Sequence, residues 1–287
     1  MFPSHPIRLI ATDVDGTLLD SRYRIPEVNR DAVAAARRAG LRVALCTGKT
    51  YQAIRDVIEE LDLGRGEHVV LNGGGLYDPA AARVEVLRSL PPGGAEEAER
   101  RFREAGLPVA YYVPDGIRVL ASDGTDFLEV AVRMGEPEPR VLASAEELAD
   151  LRRRVPVVKL LTVLPQDRPD AAGVEARLAG GAPPGVRFVR TGPLFVEAIP
   201  ADGGKAVGLR RLAARLGVRR EEILAIGDAE SDLSLFAAAG VRVAVGNAVP
   251  ELRRAADRVV ASHDEGGVAQ AIREIALAPL EGGRPRP

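Results

Sequence analysis

The apolar run Ile7–Thr12 ends abruptly in Asp13-Val14-Asp15-Gly16-Thr17, and no other junction constrains the fold as strongly. A short β-rich segment without polar alternation reads as a strand buried on both faces, the kind found in parallel sheets covered by helices. Such sheets bind ligands in the crevice beyond the carboxyl ends of their strands. Two carboxylates placed there, two residues apart, lean into one cleft and repel each other. A bound cation, or a division of labour between nucleophile and proton donor, would relieve that repulsion. A polar turn built from Asp and Gly is the plain structural alternative. An EF-hand loop is excluded, because counting from Asp13 its fifth, sixth and twelfth positions are Thr17, Leu18 and Arg24.

The rest of the chain repeats the strand-then-helix rhythm. Helical spacing over Pro26–Ala39 stops at Gly40, Leu41–Cys46 reads as a buried strand, and a helix follows over Tyr51–Leu61. His68–Leu71 is a third strand, and Leu76–Leu87 reads as a hairpin around Asp78-Pro79. Acidic-basic helices at Glu96–Ala105 and Ser144–Arg153 then interleave with strand-like runs Val109–Val113, Ile117–Ala121 and Val157–Leu164. After Leu194–Ile199 the βα rhythm returns, with strands at Ile223–Ile226 and Val241–Val245. The pattern predicts an α/β protein: a Rossmann-like, mostly parallel sheet core with an inserted α+β cap domain. Residues 1–84 and 188–287 would form the two parts of the core, and residues 85–187 the insert that sets substrate specificity. Hinges are expected near Val84–Leu87 and Phe188–Thr191.

Three further loops fall at strand ends. Thr47-Gly48 offers a hydroxyl and free backbone N–H groups to a phosphate, although the same threonine could simply cap a helix. Lys205 follows the turn Pro200–Gly204 and opens a helix, where the helix dipole disfavours a cation unless an anion or carboxylate faces it. Asp228, Glu230 and Asp232 put three acids in five residues, a plausible Mg²⁺ site, with capping as the bland role for the last two. Of 39 basic residues only Lys49, Lys159 and Lys205 are lysines, so each can mark a place that wants a compact point charge.

A net charge of −2 gives no field for nucleic acid or an anionic membrane. The single Cys46 excludes a disulfide framework and fits a reducing compartment. No secretory signal pattern and no run of 18 apolar residues is present, so a cytoplasmic protein is expected, as a monomer or weak homodimer.

Together, Asp13-x-Asp15-Gly16-Thr17, Thr47-Gly48, Lys205 and Gly227-Asp228-x-x-x-Asp232 resemble the haloacid dehalogenase superfamily in order and setting. Asn72-Gly73, Val245-Gly246-Asn247-Ala248 and Asp264–Val268 further resemble its Cof-type phosphatases, which carry a C2B cap. The resemblance implies a Mg²⁺-dependent phosphatase acting on a small phosphorylated metabolite, a sugar phosphate by family analogy. Asp13 would be the nucleophile and Asp15 the acid–base. Thr47, Gly48, Lys205, Asn72, Gly73, Ser231 and Asn247 would bind phosphate. Asp13, the Asp15 carbonyl and Asp228 would hold the metal, with Asp232 behind them. Lys159 and Arg190 are candidate cap contacts to substrate. The chain departs from the pattern with Lys49 for the usual arginine, Ser231 for the usual asparagine, and a loose Gly73-Gly74-Gly75. A phosphomutase, a phosphotransferase and a silent phosphometabolite-binding protein remain alternatives on the same fold.

Overall fold

The computed structural model describes residues 5–123, 129, 130, 132, 135–165, 167–191 and 194–282. Its first sheet is formed by five parallel strands: β1 (Leu9–Thr12), β2 (Arg42–Leu45), β12 (Ile223–Gly227), β13 (Val241–Ala244) and β14 (Arg258–Val259). They lie in the order β14-β13-β12-β1-β2. Every residue of β1 and β12 is buried. Ile10, Leu224 and Ile226 pack on one face with α1 (Glu27–Arg38) and α9 (Gly267–Ala271), whereas Leu9, Ala11, Ile223 and Ala225 pack on the other with α6 (Lys205–Leu216) and α7 (Asp232–Ala237). Burial on both faces is why these strands read as unbroken apolar runs.

Register fixes the site. Thr12 lies opposite both Leu45 and Ile226, so the carboxyl ends of β1, β2 and β12 are level. The next residues, Asp13, Cys46-Thr47 and Asp228, therefore emerge along one edge. Two extra bonds extend this edge past the strands: the Asp13 amide donates to the Ile226 carbonyl at 2.9 Å and the Thr47 amide to Val69 at 2.9 Å. The second places β3 (His68–Val70) beside β2. β3 also begins an antiparallel ribbon with β4 (Gly75–Asp78) and β5 (Arg83–Val86).

A second sheet has the order β10-β11-β9-β6-β7-β8, built from β6 (Ala110–Val113), β7 (Gly116–Leu120), β8 (Arg140–Leu142), β9 (Lys159–Val163), β10 (Val186–Arg190) and β11 (Phe195–Pro200). One face packs against α3 (Pro92–Glu104), α4 (Ala145–Arg154) and α5 (Ala171–Gly180) through Phe102, Tyr111, Leu148, Leu160 and Val174. The opposite face, carrying Tyr112, Ile117 and Leu161, joins the apolar cluster of the first unit that contains Leu71 and Tyr77. Ser144 caps α4 by accepting the Glu147 amide at 3.3 Å.

The expected boundaries shift. Residue 84 falls inside β5, and the second sheet runs on through β10 and β11 to Pro200. The chain thus crosses between the units after Val86 and after Pro200, not at Phe188–Thr191. The cause is pairing: Phe188 lies opposite Ala198 and Glu197 opposite Leu161, which ties both strands to β9. Helix α5 was not expected, because its Ala- and Gly-rich sequence carries little periodic contrast. Among the described residues no helix is long and apolar enough to cross a membrane.

Candidate active site

Asp13 is 6% exposed, and its Oδ1 lies 2.8 Å from the Lys205 ammonium. Lys205 Nζ also donates to Asp232 Oδ1 at 2.6 Å, so the cation that opens α6 is held between two carboxylates. Burial alone would lower the pKa of Lys205, yet Asp13 and Asp232 outweigh it and hold the ammonium above the ordinary lysine value. The helix-dipole penalty expected for a first-turn lysine is met here by direct pairing. Asp232 is fully buried and its Oδ2 accepts the amides of Asp228 and Ala229, both at 3.0 Å. It thus ties the Asp228-Ala229 turn to Lys205 instead of capping the helix it opens, whose N-cap Ser231 makes no side-chain capping bond.

Thr17 closes the opening loop by donating its hydroxyl to Asp228 Oδ1 at 2.6 Å. Gly16 permits this approach: its φ is +70°, and a Cβ there would stand 2.5 Å from Asp228 Oδ2. Burial, reinforced by neighbouring Asp232, raises the pKa of Asp13 well above the carboxylate range, and the same causes push Asp228 up to about 7. Asp13, Asp228 and Asp232 each bring an oxygen within 4.8 Å of the others. Asp232 is already engaged by three donors, whereas Asp13 and Asp228 keep oxygens beyond those facing Lys205 and Thr17. Crowded carboxylates with raised pKa values fit a hard divalent cation, which would restore both to their charged forms.

Asp15 pairs with a different lysine, its Oδ1 lying 2.7 Å from Lys49 Nζ. Thr47 is buried, its Oγ1 accepts the Lys49 amide at 3.1 Å, and its carbonyl accepts the Asn72 amide at 3.0 Å. Asn72 takes a left-handed φ of 53° that asparagine tolerates. Gly73 also has a positive φ, +86°, and packs against the backbone of Gly204-Lys205. Asp13, Thr47, Gly48, Asn72, Gly73, Lys205, Asp228 and Asp232 thus gather around one strand edge, and Ser231 immediately precedes Asp232.

Two further candidates make structural bonds. Asn247 braces the opening loop, its Nδ2 donating to the Gly16 carbonyl at 2.8 Å and its Oδ1 accepting the His263 amide at 2.9 Å. These bonds use its Oδ1 and one of its two Nδ2–H donors, and the side chain is otherwise exposed. Arg190 donates to Glu175 at 2.7 Å and to the Leu164 carbonyl at 3.3 Å, because β10 is the sheet edge that α5 covers.

Lys159 does face the first unit. Its Nζ donates to Glu197 Oε1 at 2.6 Å, both side chains are buried, and it sits 4.3 Å from the centre of the Tyr112 ring. Glu197, Glu136 and Thr50 were missed. Thr50 donates its hydroxyl to Glu136 Oε2 at 2.6 Å across the two units, and burial raises the Glu136 pKa. Only the alternation of β11, with Glu197 among apolar residues, could have signalled one of them.

Residues 10–272 match the sequence profile of haloacid dehalogenase-like hydrolases. The chain belongs to this family. YxeH of Bacillus subtilis is 30% identical to this hydrolase, the match covering 94% of this chain and 99% of YxeH. The 5-amino-6-(5-phospho-D-ribitylamino)uracil phosphatase YwtE of the same organism is 28% identical over 94% of this chain and 98% of its own. A haloacid dehalogenase-like hydrolase from Bacteroides thetaiotaomicron superposes with a TM-score of 0.77 at 28% identity, covering 93% of this hydrolase and 98% of that chain.

Proposed function

We propose that this hydrolase is a Mg²⁺-dependent phosphatase that cleaves a small phosphorylated metabolite, a sugar phosphate, through an aspartyl-phosphate. The observation that carries the reading is the placement of Asp13: buried, facing Lys205 with one oxygen, beside Asp228, and two residues from a second acid, Asp15, that pairs with a different lysine. The free carboxylate oxygen of Asp13 attacks phosphorus, and the P–O bond to the leaving alcohol breaks. Asp15 delivers a proton to that alcohol oxygen, then takes one from the water that opens the acyl-phosphate. Lys205 and the Thr47 hydroxyl hold the phosphoryl oxygens, with backbone amides around Gly48 adding donors. Mg²⁺ held by Asp13, the Asp15 carbonyl and Asp228 would neutralise charge on the transferring group. The second unit, from about residue 87 to Pro200, acts as a cap that excludes water and sets specificity. The names of relatives such as YwtE support phosphomonoester hydrolysis.

The test is hydrolysis of p-nitrophenyl phosphate and of a panel of sugar phosphates with Mg²⁺ and with EDTA. Turnover only with Mg²⁺, fastest on a sugar phosphate, is expected. Undiminished activity in EDTA would overturn the metal assignment, and none on any ester would overturn the phosphatase.

A further inference from the structure

We propose that Asn72, Lys159 and Glu197 form a subsite that reads a hydroxyl group of the leaving alcohol, next to the phosphoester. The inference rests on the phosphatase reading and goes further, to the chemistry on the neighbouring carbon.

The cluster is organised by one carboxylate. Glu197 Oε1 accepts from Lys159 Nζ at 2.6 Å and from the Thr191 hydroxyl at 3.2 Å, while its Oε2 accepts from Asn72 Nδ2 at 3.2 Å. A carboxylate can only accept, so it dictates the amide orientation and turns Asn72 Oδ1 away. That oxygen is buried in a residue 3% exposed, and no donor among the described residues reaches it. A buried orphan acceptor carries a desolvation cost that a bound donor would remove.

Position ties the cluster to the site. A Cβ built on Gly48 would stand 3.6 Å from Glu197 Oε1 and 3.8 Å from Lys159 Nζ. Asn72 is anchored to the Thr47 carbonyl by its own amide at 3.0 Å. The three side chains therefore lie over the Thr47-Gly48 loop, where the leaving group of a bound phosphoester would stand.

Chemistry selects the ligand. Lys159 has three N–H donors and gives one to Glu197, and Asn72 Oδ1 needs a donor. A hydroxyl meets both at once, accepting from Lys159 and donating to Asn72. A second phosphate or a carboxylate cannot donate to Asn72, and it meets no spare positive charge, because Glu197 neutralises Lys159 and the Glu136 carboxylate lies close enough to interact with the same ammonium. The preferred substrates are monophosphates of polyols or sugars with a hydroxyl beside the ester carbon, not bisphosphates or phosphocarboxylates.

Three matched esters test this with the wild-type protein and Mg²⁺: 2-hydroxypropyl phosphate, propyl phosphate and 2-carboxyethyl phosphate. The expected kcat/KM for the first exceeds both others at least about tenfold, since a site built to bond a hydroxyl rejects the analogue that lacks it. Equal values, or preference for the carboxylate, would overturn the subsite. Asn72→Gly keeps the left-handed backbone and deletes Oδ1, and should compress the hydroxyl preference to within about threefold. Full retention of the preference would overturn the role of Asn72. If that variant does not fold, Lys159→Gln combined with Glu197→Gln, which keeps an uncharged bond between the strands, should show the same loss, and an unchanged ratio there would overturn the proposal. Hydrolysis of p-nitrophenyl phosphate without any hydroxyl preference rejects the subsite alone. No hydrolysis of any ester rejects the phosphatase reading and the subsite with it.

Discussion

Lys205 shows how much one residue can fix. Its ammonium faces Asp13 at 2.8 Å and Asp232 at 2.6 Å in a space that leaves it 2% exposed. A guanidinium is planar and larger, so Lys205→Arg should misplace both carboxylates and lower kcat/KM at least about tenfold, roughly 1.4 kcal/mol. Wild-type kinetics in this variant would remove Lys205 from the reaction. Asp13→Asn keeps shape and loses the nucleophilic oxygen, so no steady-state turnover is expected. Borohydride reduction of acid-quenched wild-type protein should convert Asp13 to homoserine, and its absence would argue against the acyl-phosphate. These two residues were legible in the sequence because each breaks a local rule: two acids beyond an apolar strand, and a lysine at the wrong end of a helix. Glu197 broke no rule strongly enough, since one carboxylate in a strand ordinarily faces solvent.

At the scale of elements, two loops touch backbone to backbone. A Cβ on Gly73 would stand 2.0 Å from the Gly204 carbonyl oxygen, and the φ of +86° is strained for any other residue. Gly73→Ala should therefore push the start of α6, and Lys205 with it, away from Asp13. We expect a lower melting temperature and at least about a tenfold loss of kcat/KM, an amount that a misplaced catalytic group readily costs. Gly40→Ala is the control: its φ is +85° but nothing lies within 4 Å of the new Cβ, so about 1 kcal/mol of stability should go while activity stays. Equal activity in both variants would refute the contact argument. The parallel strands were readable because burial on both faces makes them uniformly apolar. The run Leu194–Ile199 was placed with the second part of the core because apolar content says nothing about which sheet a strand joins, and pairing of β11 to β9 decided it.

Across the whole molecule, buried titratable groups set the pH response and the coupling of the two units. His68 is fully buried in β3, and burial lowers its pKa to about 4 from an ordinary value of 6.5. The unfolded chain therefore binds the proton first as pH falls, so the stability this neutral histidine contributes is complete above pH 6.5 and lost between 6.5 and about 4. The loss amounts to about 3 kcal/mol. His68→Gln should flatten the stability curve over that interval, and parallel curves for the two proteins would refute the assignment.

The Thr50–Glu136 bond bears on motion between the units. Thr50 belongs to the first unit and is 1% exposed, and its hydroxyl and amide both face the Glu136 carboxylate of the second, at 2.6 Å and 3.2 Å. Thr50→Val is close in shape and deletes the hydroxyl, leaving a buried carboxylate short of a donor at a cost of about 1–3 kcal/mol. Where that cost appears tells how the molecule moves. If the second unit closes over Asp13 during turnover, the cost falls on closure, and kcat/KM drops about 5–150-fold while unfolding midpoints barely change. Amides at the junction, such as that of Leu71, would then exchange faster, while those of β1 would keep their rates. If the two units instead form one rigid body, the cost falls on global unfolding, and exchange in β1 and at the junction accelerates together. Hydrogen exchange on wild type and Thr50→Val distinguishes the two, and joint acceleration would refute a separately closing cap.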